Sequence, residues 1–199
     1  MVGIEEKQIN AGECTVHYLE AGSRQGRSMV LLHGMKFQAE TWRELKTIET
    51  LAGAGFHVIA LDMPGFGKSA ACNCAAGEVL RNFLVAKELG KPVLVGPSMG
   101  GRICLEFAID FPEMTGGLVL VGAVGVEENR KRLAGLKMPC LIVWGGEDAI
   151  SPIENGRLLH KEIKHSQFLV LEGAPHPCYL EKTEQWHSAL LVFLKEYFV

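Results

Sequence analysis

Six short apolar runs punctuate the chain: 29–32 (MVLL), 56–61 (FHVIAL), 92–95 (PVLV), 118–121 (LVLV), 140–144 (CLIVW) and 168–171 (FLVL). Each is continuous rather than alternating, the pattern of strands covered on both faces in a parallel sheet. Upstream, 14–20 (CTVHYLE) alternates and reads as a half-exposed strand. With residues 4–9 it predicts an antiparallel hairpin at the sheet edge. Helical patterns fall between the runs. Thr41-Trp42-Arg43-Glu44 has capping-box spacing and opens a segment with Leu45, Ile48, Leu51 and Ala52 on one stripe. Residues 99–109 carry Ile103, Phe107 and Ala108 on one face, and Ser151-Pro152 opens a further helix. The C-terminal stretch sets Trp186, Leu190, Phe193, Leu194 and Tyr197 on one amphipathic stripe. This alternation predicts one α/β domain over residues 1–199, a mostly parallel, doubly wound sheet with an antiparallel N-terminal edge. Such sheets bind ligands at the C-terminal ends of their strands, so the residues that follow each run carry the functional reading.

Composition narrows the classes. With 48% hydrophobic and 22% charged residues the chain is globular rather than disordered. Its 20 basic and 23 acidic side chains leave a net charge of −3, against a general nucleic-acid binder. The basic run Arg130-Lys131-Arg132 reads as a solvated helix face, with an anionic-ligand contact as the rival. No apolar stretch reaches the ~18 residues of a membrane span. The start, MVGIEEKQIN, has no apolar core of the signal-peptide kind. The six cysteines (14, 72, 74, 104, 140, 178) sit mostly alone in apolar segments, which predicts reduced, buried thiols in a cytoplasmic protein. Cys72-Asn73-Cys74 is too tight for C-x2-C zinc spacing and lacks a second ligand pair nearby in sequence, so no metal is expected.

The third run leads into Gly96-Pro97-Ser98-Met99-Gly100-Gly101 and then a helix, a G-x-S-x-G turn in strand–turn–helix context. So sharp a reversal forces the serine into a strained backbone and needs glycine two residues to either side. It lifts the Ser98 hydroxyl into the open and aims the Met99 N–H, at a helix N-terminus, toward any anion formed there. A serine nucleophile needs a base and an orienting group. His176 follows the last run in a Gly/Pro loop, and Asp148 follows 140–144 in Gly145-Gly146-Glu147-Asp148. Glu147 and Glu172 are the rival acids. His33 reads as a brace for its loop and Asp62 as a turn-fixing residue. His17 and His57 lie inside strands, and His160, His165 and His187 on helices or at their ends. A second oxyanion donor belongs to the loop after 29–32, with Met35 N–H ahead of Lys36 N–H. Lys36, Phe37 and Pro97 are candidate substrate contacts by proximity. Gly67-Lys68-Ser69 resembles the end of a phosphate-binding loop, but that motif needs glycine at position 62, where Asp62 stands.

Together, His33-Gly34 with Trp42 downstream, D-x-P-G-x-G-x-S at 62–69, the turn at 96–100, G-x-x-D at 145–148 and the His176 loop resemble the α/β-hydrolase superfamily. HGMKFQAETW (33–42) and APHPCYLEKTEQWHSALLVFL (174–194) are similar to the small abhydrolase-domain-containing type fourteen proteins. The resemblance implies a serine hydrolase of small acyl groups with a Ser98-Asp148-His176 triad and no cofactor. The 18 residues 122–139 leave room for one short helix and no lid domain. The expected partner is a small acyl ester. The alternatives are transfer of the acyl group to an acceptor other than water, or a non-catalytic protein-interaction module on the same scaffold.

Overall fold

The computed structural model describes residues 2–199. Its centre is an eight-stranded sheet in the order β1-β2-β4-β3-β5-β6-β7-β8. The strands are β1 Glu5–Ala11, β2 Cys14–Ala21, β3 Ser28–Leu31, β4 His57–Leu61, β5 Val93–Pro97, β6 Gly117–Val121, β7 Cys140–Gly145 and β8 Ser166–Leu171. β1 runs antiparallel to β2 and β2 antiparallel to β4, while β3 to β8 pair in parallel. The six continuous apolar runs are thus the six parallel strands. β2 departs from the half-exposed expectation. It is buried along nearly its whole length, because β1 rather than β2 forms the edge.

Side chains alternate across each strand. Val30 and Leu32 face a core completed by α3 Ala76–Ala86, α4 Met99–Asp110, α5 Val126–Leu133 and α6 Ile153–Glu162. Met29 and Leu31 face the other core, completed by α1 Ala39–Glu44, α2 Thr47–Gly53, α7 Cys178–Glu181 and α8 Thr183–Phe198. α8 buries Trp186, Leu190, Phe193 and Leu194, whereas Tyr197 is 41% exposed near its end. Only α5, an eight-residue helix, occupies the segment 122–139, and among the described residues no lid stands over the sheet. Among the same residues no helix is long and apolar enough to cross a membrane.

Two local expectations are corrected. Thr41 does not cap a helix. α1 starts at Ala39, whose N–H donates to Asp62 Oδ1 at 2.6 Å, so a carboxylate from the loop after β4 does the capping. The helical stripe then breaks at Lys46, which adopts a left-handed φ of 59°, giving two short helices. The cysteines are not all reduced: Cys14 and Cys72 form a disulfide, and Cys74, Cys104, Cys140 and Cys178 are free. The β1–β2 turn and the loop before α3 bring the Cα atoms of Cys14 and Cys72 to 5.8 Å, inside normal disulfide range.

The order of β4, β3 and β5 locates the functional edge. From central β3 the chain crosses to β4 on one side and then returns past β3 to β5 on the other. The loops that leave β3 and β5 therefore diverge to opposite faces and open a crevice between their C-terminal ends.

Candidate active site

Ser98 stands between β5 and α4 with φ 51° and ψ −115°, a conformation L-residues rarely adopt. The strain is held by the glycines around it. A Cβ on Gly96 would lie 2.2 Å from Gly100 O, and one on Gly100 would lie 2.7 Å from His33 O. Ser98 N–H donates to Val121 O at 2.9 Å, and Ser98 O accepts from Arg102 N–H at 3.0 Å, so both sides of the turn are pinned. Met99 N–H lies in the first turn of α4, where no carbonyl one turn back can engage it.

The chain continues from Val121 into Gly122, at φ 51°. A Cβ there would lie 3.1 Å from Asp148 Oδ2 and 3.4 Å from His176 Nδ1. The segment that holds the Ser98 backbone on one side therefore presses against the Asp148–His176 pair on the other. His176 Nδ1 lies 2.8 Å from Asp148 Oδ2 and 3.0 Å from Oδ1. The carboxylate can only accept, so Nδ1 carries the proton toward it, and in the neutral ring Nε2 is left with a free lone pair. Nε2 is buried with no hydrogen-bond partner among the described residues. The Asp148 side chain is fully buried, and its Oδ1 also accepts from Ile150 N–H at 2.9 Å and Ser151 N–H at 2.8 Å. Neither Glu147 nor Glu172 takes the place of Asp148; both are exposed.

On the other wall, His33 braces its loop. Nδ1–H donates to Gly34 O at 2.8 Å and Nε2 accepts Met63 N–H at 3.1 Å, which fixes the neutral ring. Burial holds its pKa below the ordinary imidazole value, against the opposing pull of Gly34 O and Asp62. Gly34 comes close to the serine: a Cβ on it would lie 3.8 Å from Ser98 Cβ and 3.2 Å from the Phe37 ring. Phe37 is half-buried and forms a T-shaped pair with Tyr179, their ring centroids 6.4 Å apart. Met35 and Lys36 are exposed and Pro97 is buried in β5 opposite Val121. Asp62 fixes the neighbouring turn by accepting from Lys68 N–H at 2.9 Å and by pairing with His17 Nδ1 at 2.7 Å.

The alpha/beta hydrolase fold family matches residues 27–136. The chain belongs to that family. Within it, ABHD14B of Homo sapiens, provisionally named as a protein-lysine deacylase, is 39% identical over 183 residues, covering 87% of this chain and 86% of its own. ABHD14A of Danio rerio is 34% identical, covering 84% of this chain and 64% of its own. Among solved structures, a CIB-like hydrolase from Thermoplasma acidophilum superposes with a TM-score of 0.94 at 26% identity, covering 98% of this chain and 100% of that one.

Two contributors to this candidate site escaped the sequence reading. Gly122 gives no motif signal; its role follows from the left-handed turn that lets the Asp148–His176 pair approach. Ser151 reads as a helix opener, but its hydroxyl donates to Ala123 O at 2.7 Å and its N–H donates to Asp148. Pro152 is the residue that precedes α6. Ser151 thus ties the Asp148 loop to the segment after β6.

Proposed function

We propose that this protein is a serine hydrolase that cleaves small acyl esters through Ser98, His176 and Asp148. The observation that carries the reading is the hydrogen-bonded Asp148–His176 pair, with its unpartnered Nε2, packed against Gly122, whose neighbour Val121 holds the backbone of a serine in a left-handed turn. His176 Nε2 takes the Ser98 proton as Oγ attacks the acyl carbonyl. Asp148 keeps the ring in the tautomer that accepts this proton and offsets the imidazolium charge. The N–H groups of Met99 and Met35 receive the oxyanion, worth about 3–4 kcal/mol for a single donor in other enzymes. When the tetrahedral adduct collapses, the alkoxide leaves with the proton from His176. Water then enters, gives its proton to His176 and releases the acid, restoring Ser98. Phe37 and Lys36 flank the acyl group. No bound cofactor enters any step.

The absence of a lid over the sheet among the described residues favours a second reading, in which the acyl group comes from, or passes to, a bulky amine. The name carried by human ABHD14B points the same way. Met35, in the proposed oxyanion loop, is 67% exposed, and Ile150, two residues after Asp148, is 68% exposed.

Labelling with a fluorophosphonate tests the common mechanism. Wild-type protein is expected to label and Ser98→Ala not to; a folded wild type that fails to label overturns it. Comparing p-nitrophenyl acetate with an acetyl-lysine peptide, with and without added amines, separates the two readings. Preference for long acyl chains would contradict the small-acyl assignment.

A further inference from the structure

Far from the Asp148–His176 pair, a third sulfur lies beside the disulfide. The Sγ atoms of Cys14, Cys72 and Cys74 all lie within 4.8 Å of one another. Cys14 is fixed: it is buried on β2, where it pairs with Ala11 of β1. Cys72 and Cys74 flank a single residue, Asn73, in the irregular loop before α3, and both are half-buried. One rigidly held sulfur therefore faces two alternatives on the same short loop.

We propose that Cys14, Cys72 and Cys74 form a thiol–disulfide exchange site in which the bond migrates between Cys14–Cys72 and Cys14–Cys74. The thiolate of Cys74 attacks Cys14 Sγ. The Cys14–Cys72 bond breaks as the Cys14–Cys74 bond forms, and Cys72 leaves as a thiolate that takes up the proton Cys74 gave up. No electrons are gained or lost. Either pairing fastens the β1–β2 hairpin to the loop before α3, whereas a Cys72–Cys74 bond would release it. Partial desolvation, and behind it the carboxylates of Glu78 and Glu13, hold the Cys74 thiol above its ordinary pKa, so this third sulfur waits mostly protonated. A low-molecular-weight thiol opens the same site. One molecule attacks Cys72 and releases Cys14 as thiolate. A second attacks the mixed disulfide, leaving Cys72 reduced and the two small thiols joined as a disulfide.

The test uses wild-type, Cys72→Ser and Cys74→Ser full-length proteins equilibrated in reduced and oxidised glutathione, with far-UV circular dichroism as the folding control. Free thiols are alkylated and disulfides mapped by non-reducing mass spectrometry. Cys74→Ser is expected to hold Cys14–Cys72, and Cys72→Ser to hold Cys14–Cys74 in the same buffer. In wild type, both Cys72 and Cys74 take up alkylating reagent in part. The proposal is overturned if folded Cys72→Ser leaves Cys14 and Cys74 unlinked or separately glutathionylated. It is equally overturned if wild type alkylates at Cys74 alone, a readout that stands even where a variant fails to fold. Neither result depends on hydrolase activity.

Discussion

Replacing Asp148 with asparagine tests the site through hydrogen-bond direction alone. Oδ1 of Asp148 accepts two backbone N–H groups, from Ile150 at 2.9 Å and Ser151 at 2.8 Å. In Asp148→Asn those donors hold the amide oxygen at the Oδ1 position, because turning the amide over would set its NH2 against two N–H groups. The NH2 is then forced to where Oδ2 now lies, 2.8 Å from His176 Nδ1. Two donors cannot share that contact, so Nδ1 must become the acceptor and the ring proton moves to Nε2. That tautomer cannot take the Ser98 proton. The same inversion in a serine protease costs about ten-thousand-fold in turnover. Four powers of ten at about 1.36 kcal/mol each amount to about 5.4 kcal/mol of transition-state stabilisation. The fold should survive, since the substituted amide still donates to Nδ1. The assay is kcat/KM on p-nitrophenyl acetate beside thermal unfolding of both proteins. A folded Asp148→Asn enzyme within about tenfold of wild type refutes the assigned role of Asp148.

Other positions give further expectations. Gly122→Ala sets a side chain on a left-handed backbone and against Asp148 and His176; urea unfolding should show a loss of about 1 kcal/mol or more, with a larger proportional fall in kcat than in KM. His33 has a depressed pKa in the folded state, so the unfolded chain binds its proton first. Its contribution to stability is complete above pH ~6.5 and declines as pH falls below that value. Thermal unfolding between pH 8 and 5 should show the decline in wild type and a flatter profile in His33→Gln. At the opposite end of the sheet, burial alone would raise the Glu20 carboxyl, but hydrogen bonds from Lys7, His57 and Lys87 bring it down to about 2. Stability from Glu20 is therefore present above its ordinary value of 4.5 and lost as pH drops from there toward 2. Acid titration of Glu20→Gln should lack that part of the transition.

What could be read from the chain alone was whatever depends on local pattern. The parallel strands announce themselves because burial on both faces demands unbroken apolar runs, and the turn at Ser98 because its glycines admit no Cβ. Asp148 and His176 were legible because each closely follows a strand. Features set by distant partners were not. The cap on α1 comes from Asp62, a residue beyond the next strand, so the local Thr41–Glu44 spacing misled. The left-handed break at Lys46 carries no glycine to mark it. The Cys14–Cys72 pairing spans 58 residues, and only the folded hairpin and loop bring its ends together. Gly122 is one glycine among 23, and its importance appears only once Asp148 and His176 are packed against it.

Under the proposed mechanism, the φ of 51° at Ser98 sets durability against catalysis at a single position. A non-glycine residue in so sparsely populated a conformation costs on the order of 1–3 kcal/mol, a sizeable share of a domain's whole stability. Glycine at that position would recover part of that energy and yield a hardier, inert protein. Under the proposed mechanism, selection for thermal resistance alone would therefore tend to erase the nucleophile.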